Sequence, residues 1–196
     1  MDAMQRRDAP SNPSSQRLAI ALGDPAGIGA EVVLKALASG RPEAEAPLLV
    51  GCRRWLEERY GALKQQAVGP LRDPAELELI DVPLAEPARA GVSTPACGDA
   101  SFHWLTAATA AVQQGRCHAL VTAPIAKASW HAAGHHYPGQ TERLAELAGV
   151  HEASMLFTAR SPQGPWRLNT LLATTHIPLA AVPERLNGPL VQHKLD

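Results

Sequence analysis

The 196-residue chain has only three cysteines, Cys52, Cys97 and Cys117, and no two of them form a Cys-x-x-Cys pair. That excludes a disulfide framework and gives no sign of a thiolate zinc site; free thiols in a reducing compartment are expected. Net charge is equally scarce, since 18 Lys and Arg against 19 Asp and Glu leave −1. So even a balance supplies no electrostatic footprint for nucleic acid or an anionic membrane. No stretch approaches the roughly 18 apolar residues of a membrane span. Arg6 and Arg7 stand in a polar start, "MDAMQRRDAPSNPSSQ", with no apolar segment behind them, so a twin-arginine signal is not indicated. Residues 1–16 are expected to be a disordered tail, the protein to be cytoplasmic, and its partners to be small molecules or another copy of the chain.

What is present is ordinary globular material, 45% hydrophobic and 19% charged, enough for one sizeable core. Apolar strands are expected at 17–23, 47–51, 77–82 and 118–124. Helices are expected at 29–39, after residue 52, at 98–114 and at 141–149. The Pro-, Ala- and Gly-rich run 83–97 reads as a loop crossing between subdomains. "ASMLFTA" and "WRLNTLLATT" read as two strands joined through "RSPQGP". "PLAAVPERL" opens a helical region still running at Asp196. Strands alternating with helices predict an α/β fold with a mixed, mostly parallel sheet flanked by helices.

Three stretches could carry chemistry. "GDPAGIG", 23–29, falls between a strand and a helix. Its three glycines permit positive φ and close backbone approach, and the helix behind it offers unpaired N–H groups to an anion. It is neither Gly-x-Gly-x-x-Gly nor a Walker A loop. A structural turn accounts for the glycines and leaves Asp24 least explained. In "HHYPGQTERLAEL", 135–147, Thr141 is a good N-cap with Glu142 in the first turn. The turn before it would aim Gln140 and Thr141 outward, to grip a polar substrate or simply to cap the helix. "TTHIPL", 174–179, places His176 at the end of a buried strand read over 167–173, where ligands gather in open α/β sheets. A metal ligand, a proton carrier and an ordinary hydrogen-bonded histidine all remain open there. His-Glu-x-x-His is absent, so any metal site needs ligands distant in the chain or outside it.

Together "LAIALGDPAGIGAEVVLKAL", "LVTAPIAKASWHAAGHHYPGQTERLAELAG" and "LLATTHIPLAAVP" resemble the N-terminal portion of the 4-hydroxythreonine-4-phosphate dehydrogenase (PdxA) family, over about residues 17 to 190. The resemblance implies an isocitrate/isopropylmalate dehydrogenase-like fold. It implies oxidation of 4-phosphooxy-L-threonine with NAD or NADP to a 3-oxo amino acid, which loses CO₂ to give 3-amino-2-oxopropyl phosphate in pyridoxal phosphate biosynthesis. It also implies a divalent metal (Zn, Mg or Co) held by three histidines, one of them His176, in a homodimer whose metal site is shared between subunits. The family's substrate pair falls on Gln140 and Thr141, with Gln140 where histidine is usual; an amide keeps hydrogen bonding but cannot titrate. "PIAK" stands where "PINK" is more familiar. There Lys127 is retained, and with Asp24 it is a candidate cleft residue. Family members continue well beyond 196 residues, and the rest carries the other metal histidines, the phosphate-binding basic residues and most of the NAD site. Residues 17–196 are thus expected to be the N-terminal portion of a two-lobed, apparently truncated dehydrogenase, inactive or poorly folded alone. A paralogue acting on threonate or erythronate 4-phosphate and an inactive remnant are the competing expectations.

Overall fold

A computed structural model of the chain describes residues 17–40 and 46–195. The expected tail, 1–16, lies outside them. The chain divides between Leu147 and Ala148 into two compact units.

The first unit is organised by a parallel sheet of β1 (Leu18–Ala21), β2 (Leu48–Gly51), β3 (Leu79–Asp81) and β4 (Ala119–Thr122), in the order β3-β2-β1-β4. Ile20 pairs with Leu49 on one side and Val121 on the other, and Leu49 continues to Leu79. The two central strands read "LAIA" and "LLVG" because both faces of a sheet interior must be apolar; all of β2 is buried. At the edge, β4 alternates exposed and half-buried positions. Around the sheet lie α1 (Gly29–Ala38), α2 (Arg53–Gln65), α3 (Pro95–Gln113), α4 (Lys127–Ala132) and α5 (Gln140–Ala148).

The longest of these, α3, forms the centre of the core. It starts at Pro95 rather than at Gly98, because Thr94 Oγ1 accepts the Cys97 N–H at 3.2 Å and proline's fixed φ suits the first helical position. The run 83–97 therefore ends in a helix and stays within the first unit instead of crossing between subdomains. Phe102, Trp104, Leu105, Ala108 and Ala111 are buried along α3. Trp104 packs on Trp55 of α2 with centroids 5.3 Å apart, and its indole N–H reaches the Val82 carbonyl at 2.9 Å. A short helix that the sequence does not predict, α4, crosses α3 closely. Its Trp130, fully buried, donates to Ser101 Oγ at 2.8 Å.

The second unit holds a separate antiparallel hairpin of β5 (Leu156–Arg160) and β6 (Arg167–Leu171), closed by the Ser161 N–H to the Trp166 carbonyl at 3.1 Å. The parallel and antiparallel strands thus form two sheets rather than one. β5 is exposed throughout and β6 nearly so, correcting the buried strand read over 167–173, and β6 ends at Leu171. The apolar residues of a strand report what could be buried; a two-stranded ribbon has no second layer of its own to bury them. The helical region is also broken, into a 3₁₀ turn (Leu179–Ala181), α6 (Val182–Arg185) and α7 (Gly188–Leu195). Asn187 Oδ1 accepts the Leu190 N–H at 2.9 Å and starts α7 afresh. No helix among the described residues is long and apolar enough to cross a membrane.

Gly98 permits the close α3–α4 crossing, since a Cβ there would lie 2.0 Å from the Ser129 carbonyl oxygen. The obstacle is backbone and cannot rotate away. Gly98→Ala should destabilise the first unit by about 1–3 kcal/mol, read from urea unfolding followed by tryptophan fluorescence. Ser129→Gly in the same background should give no relief.

Candidate functional site

The strand order defines a crevice. From β1 the chain steps outward through β2 and β3, then returns to the other side of β1 with β4. Connections diverge at such a switch point, and the space outside the carboxyl ends of the two strands is where open parallel sheets take ligands. Two of the motif stretches leave the sheet at this point: β1 runs into Gly23-Asp24, and β4 into Ala123-Pro124.

These exits are laced by backbone. Ala123 N–H donates to the Ala21 carbonyl at 2.9 Å and Asp24 N–H to the Pro124 carbonyl at 2.9 Å. Gly23 makes the second bond possible: its φ is 72°, and a Cβ would sit 2.3 Å from the Pro124 oxygen. Of the three glycines, only Gly23 adopts positive φ. At Gly29 the requirement is close approach, since a Cβ there would meet the Leu22 oxygen at 2.1 Å.

Asp24 is 4% exposed, and its Oδ1 accepts the Ala26 N–H at 2.8 Å while its carbonyl accepts the Gly27 N–H at 2.9 Å. The carboxylate therefore shapes the turn that delivers the chain into α1. This supplies the account of Asp24 that the glycine pattern lacked.

The third segment arrives from α5. The helix opens at Gln140, so Thr141 lies in its first turn and not at the N-cap. Gln140 does not point simply outward: its Nε2 donates to the Ala123 carbonyl at 3.3 Å. Two consecutive carbonyls, Ala123 and Pro124, thus tie the "GDPAGIG" turn and the "GQT" helix start to one place. Lys127, the first residue of α4, joins them. Its Nζ lies 3.5 Å from where a Gly139 Cβ would be, with Glu142 Oε2 at 3.4 Å from the same point. Lys127 is exposed and has no ion pair among the described residues. The resulting group holds the Lys127 ammonium, the Glu142 carboxylate near it, a half-committed amide, the Thr141 hydroxyl and the opening N–H groups of a helix, an array suited to a polar, hydroxylated ligand.

His176 belongs to the second unit. It sits on an exposed bend beyond the end of β6, with φ +57°, and neither ring nitrogen is hydrogen-bonded among the described residues. Left-handed backbone at a non-glycine residue carries local strain and is concentrated at functional loops. Among the described residues no group of three or more His, Cys, Asp or Glu could hold a metal ion. His131 and His135, four apart, are committed elsewhere: His131 Nε2 pairs with the Tyr137 carbonyl at 3.0 Å, and His135 Nε2 with Asp99 at 2.9 Å. A complete three-histidine centre therefore does not fit within these residues.

Behind α5 stands a cluster that no sequence motif announces. Arg143 lies over the Phe102 ring at 4.5 Å and pairs with Glu146 at 3.2 Å, and the Tyr137 hydroxyl donates to Glu146. That hydroxyl, and then Arg143, hold the Glu146 carboxyl below the usual glutamate range. The spacing of Phe102, Tyr137 and Arg143 in the chain carries no periodic signal linking them.

The model of a known family, described as pyridoxal phosphate biosynthetic protein PdxA, matches residues 43–196. The chain belongs to the PdxA family. It is 64% identical over 91% of its length to a 4-hydroxythreonine-4-phosphate dehydrogenase of Synechococcus sp. (strain RCC307), of which it covers 54%. It is 33% identical over 91% of its length to a D-threonate 4-phosphate dehydrogenase of Pectobacterium atrosepticum, covering 56% of that protein. A crystal structure of a 4-hydroxythreonine-4-phosphate dehydrogenase from Burkholderia phymatum superposes with a TM-score of 0.75 at 32% identity, over 92% of this chain and 56% of that one. The chain spans about half the length of the PdxA relatives it matches and corresponds to their N-terminal portion.

If the Asp24 carboxylate acts by shaping the turn, Asp24→Ala should cost about 1–3 kcal/mol through the buried Ala26 N–H it leaves unpaired. Asp24→Asn, which keeps an acceptor oxygen, should cost clearly less. Denaturant midpoints of the two variants against the parent check this.

Proposed function

We propose that this chain contributes the substrate-gripping half of an NAD(P)- and divalent-metal-dependent dehydrogenase that oxidises 4-phosphooxy-L-threonine to 2-amino-3-oxo-4-phosphooxybutanoate. The product then loses CO₂ to give 3-amino-2-oxopropyl phosphate. The observation that carries the reading is the convergence of Gln140 and the "GDPAGIG" turn on the Ala123–Pro124 carbonyls at the sheet switch point, with Lys127 beside the adjoining Gly139. The identity to the Synechococcus enzyme supports the choice of substrate.

In this reading the chain's own residues bind and orient. With Nε2 engaged by Ala123, the Gln140 Oε1 is left to accept from the substrate's ammonium or hydroxyl. Thr141 adds a hydroxyl beside the first N–H groups of α5, and Lys127 brings a positive charge toward phosphate or carboxylate. Glutamine cannot exchange a proton near neutrality, so its part is positional rather than acid–base. The reaction removes a hydride from the carbon bearing the hydroxyl to the nicotinamide, and the hydroxyl proton departs. A zinc, magnesium or cobalt ion would act as Lewis acid toward that oxygen. Of the described residues only His176 is offered to it, one imidazole of a centre otherwise supplied from outside them and shared across a homodimer.

The alternative is oxidation of threonate or erythronate 4-phosphate. The Pectobacterium relative favours it and the amide at position 140 is compatible with it; the lower identity to that relative weighs against it.

The test is nicotinamide reduction by the protein containing this chain, with 4-phosphooxy-L-threonine and D-threonate 4-phosphate compared at equal concentration. The amino substrate should give the higher kcat/KM; preference for the hydroxy acid would select the alternative, and inertness toward both would remove the reading. Gln140→Ala should raise KM about tenfold, the loss of one hydrogen bond to a charged group. Gln140→His should instead make KM pH-dependent near the ordinary histidine range.

A further inference from the structure

We propose that Arg143 is a positioning residue, which acts through Tyr137 to hold the Gly139–Thr141 turn in its ligand-ready form. The inference rests on the reading that this turn grips the substrate.

It begins from how weakly α5 is otherwise held. None of its residues is buried, although Gln140 to Ala148 must stand at a fixed place beside the sheet exits. Leu144 is only partly buried against the core, and the far end is tied by the Gln113 amide to the Leu147 carbonyl at 2.6 Å. At the near end, where Gln140 and Thr141 lie, the Gln140–Ala123 contact is a single hydrogen bond of 3.3 Å. A turn placed by apolar packing alone would show a buried apolar side chain, and here the one buried residue is Gly139, which has none.

Arg143 supplies the anchor. Its side chain is 14% exposed, and it reaches α3, the connection ahead of α5 and a neighbour on its own helix. The guanidinium stacks over Phe102 of α3 at 4.5 Å and donates to Thr106 Oγ1 of the same helix at 3.3 Å. It also donates to the Tyr137 hydroxyl at 3.3 Å and pairs with Glu146 one turn further along α5 at 3.2 Å. Tyr137 immediately precedes the Pro138-Gly139 turn, and its ring rests 5.7 Å from Phe102 and 6.3 Å from Trp130. His135, stacked on Phe102 at 3.7 Å, fixes the start of the same connection. A planar cation with several donors can satisfy this arrangement, where a point charge could meet only part of it. The chain from His135 to Gln140 is thus pinned to α3 on one side of the turn, and Arg143 reaches both that connection and α5.

The experiment compares Arg143→Leu, Arg143→Lys and Tyr137→Phe with the parent. Amide hydrogen exchange is read on the ligand-free protein, and KM and kcat on the same preparations with 4-phosphooxy-L-threonine. In Arg143→Leu, exchange of amides 139–144 should quicken about tenfold while those of β2 and α3 keep their protection. KM should rise about tenfold with kcat within about twofold. Tyr137→Phe should move both in the same direction by less, and Arg143→Lys, which keeps the cation over Phe102, should recover part of each. Unchanged exchange at 139–144, or quickened exchange with unchanged KM, would overturn the proposal. So would equal loss of protection in β2 and α3, which marks Arg143 as general scaffold. An inactive parent would instead count against the substrate reading, and the exchange pattern alone would then decide whether the clamp exists.

Discussion

The hydrogen bond from the Asp24 amide to the Pro124 carbonyl is the contact on which the rest of the first unit's chemistry depends. It joins the exits of β1 and β4, the two neighbouring strands between which the sheet changes direction. It requires Gly23 in a left-handed conformation, because any side chain there would occupy the place of the carbonyl. Once that bond is made, the Ala123 carbonyl is held one residue away and becomes the acceptor for Gln140. Three sequence-distant segments are ordered by two backbone oxygens. Backbone groups are well suited to this, since their positions are set by the sheet and are not subject to rotamer choice.

The core explains why those oxygens stay where they are. α3 buries Phe102, Trp104 and Leu105 and is crossed so closely by α4 that only glycine fits at position 98. That crossing places Lys127, at the start of α4, beside the Gly139 turn. Phe102 also serves as the platform for His135 and Arg143. One aromatic ring thus links the packing of the core to the placement of the candidate binding turn. In the second unit the polar anchors are at the surface: Glu152 pairs with Lys194 at 2.9 Å and His193 at 3.1 Å, and its carboxyl is held low chiefly by the Lys194 bond. Exposed pairs of this kind are worth little in stability.

Much of the sheet was legible in the chain. "LAIA" and "LLVG" are short, uninterrupted apolar runs bounded by turn residues, and such runs can only be interior strands or buried helix. Where sequence and structure part, the deciding information was not local. α4 was invisible because its six residues carry one large apolar anchor, Trp130, too little to establish a period. The start of α3 was displaced because a proline at the first helical position looks, in sequence, like part of a loop. The exposure of β6 is not legible in its sequence, because its leucines do not say what packs on them. The role of Arg143 is not legible in the sequence, because a cation beside a glutamate at helical spacing is ordinarily a solvated surface pair.

By itself the sequence determined the kind of molecule and the identity of the chemical groups. Its alternation of apolar runs and amphipathic stretches required an α/β unit with a parallel sheet, and its motifs named Asp24, Lys127, Gln140, Thr141 and His176. Tertiary structure alone decided which of these stand together. The Asp24 turn and Gln140 come to adjacent carbonyls because β4 pairs with β1 and not with β3, a choice made by long-range strand pairing that no local pattern encodes. It likewise decided that the Asp24 carboxylate turns into the fold while the Lys127 ammonium remains in solvent. A buried carboxylate needs amide donors close by, and the Ala26 N–H provides one only after the Gly23 turn has formed.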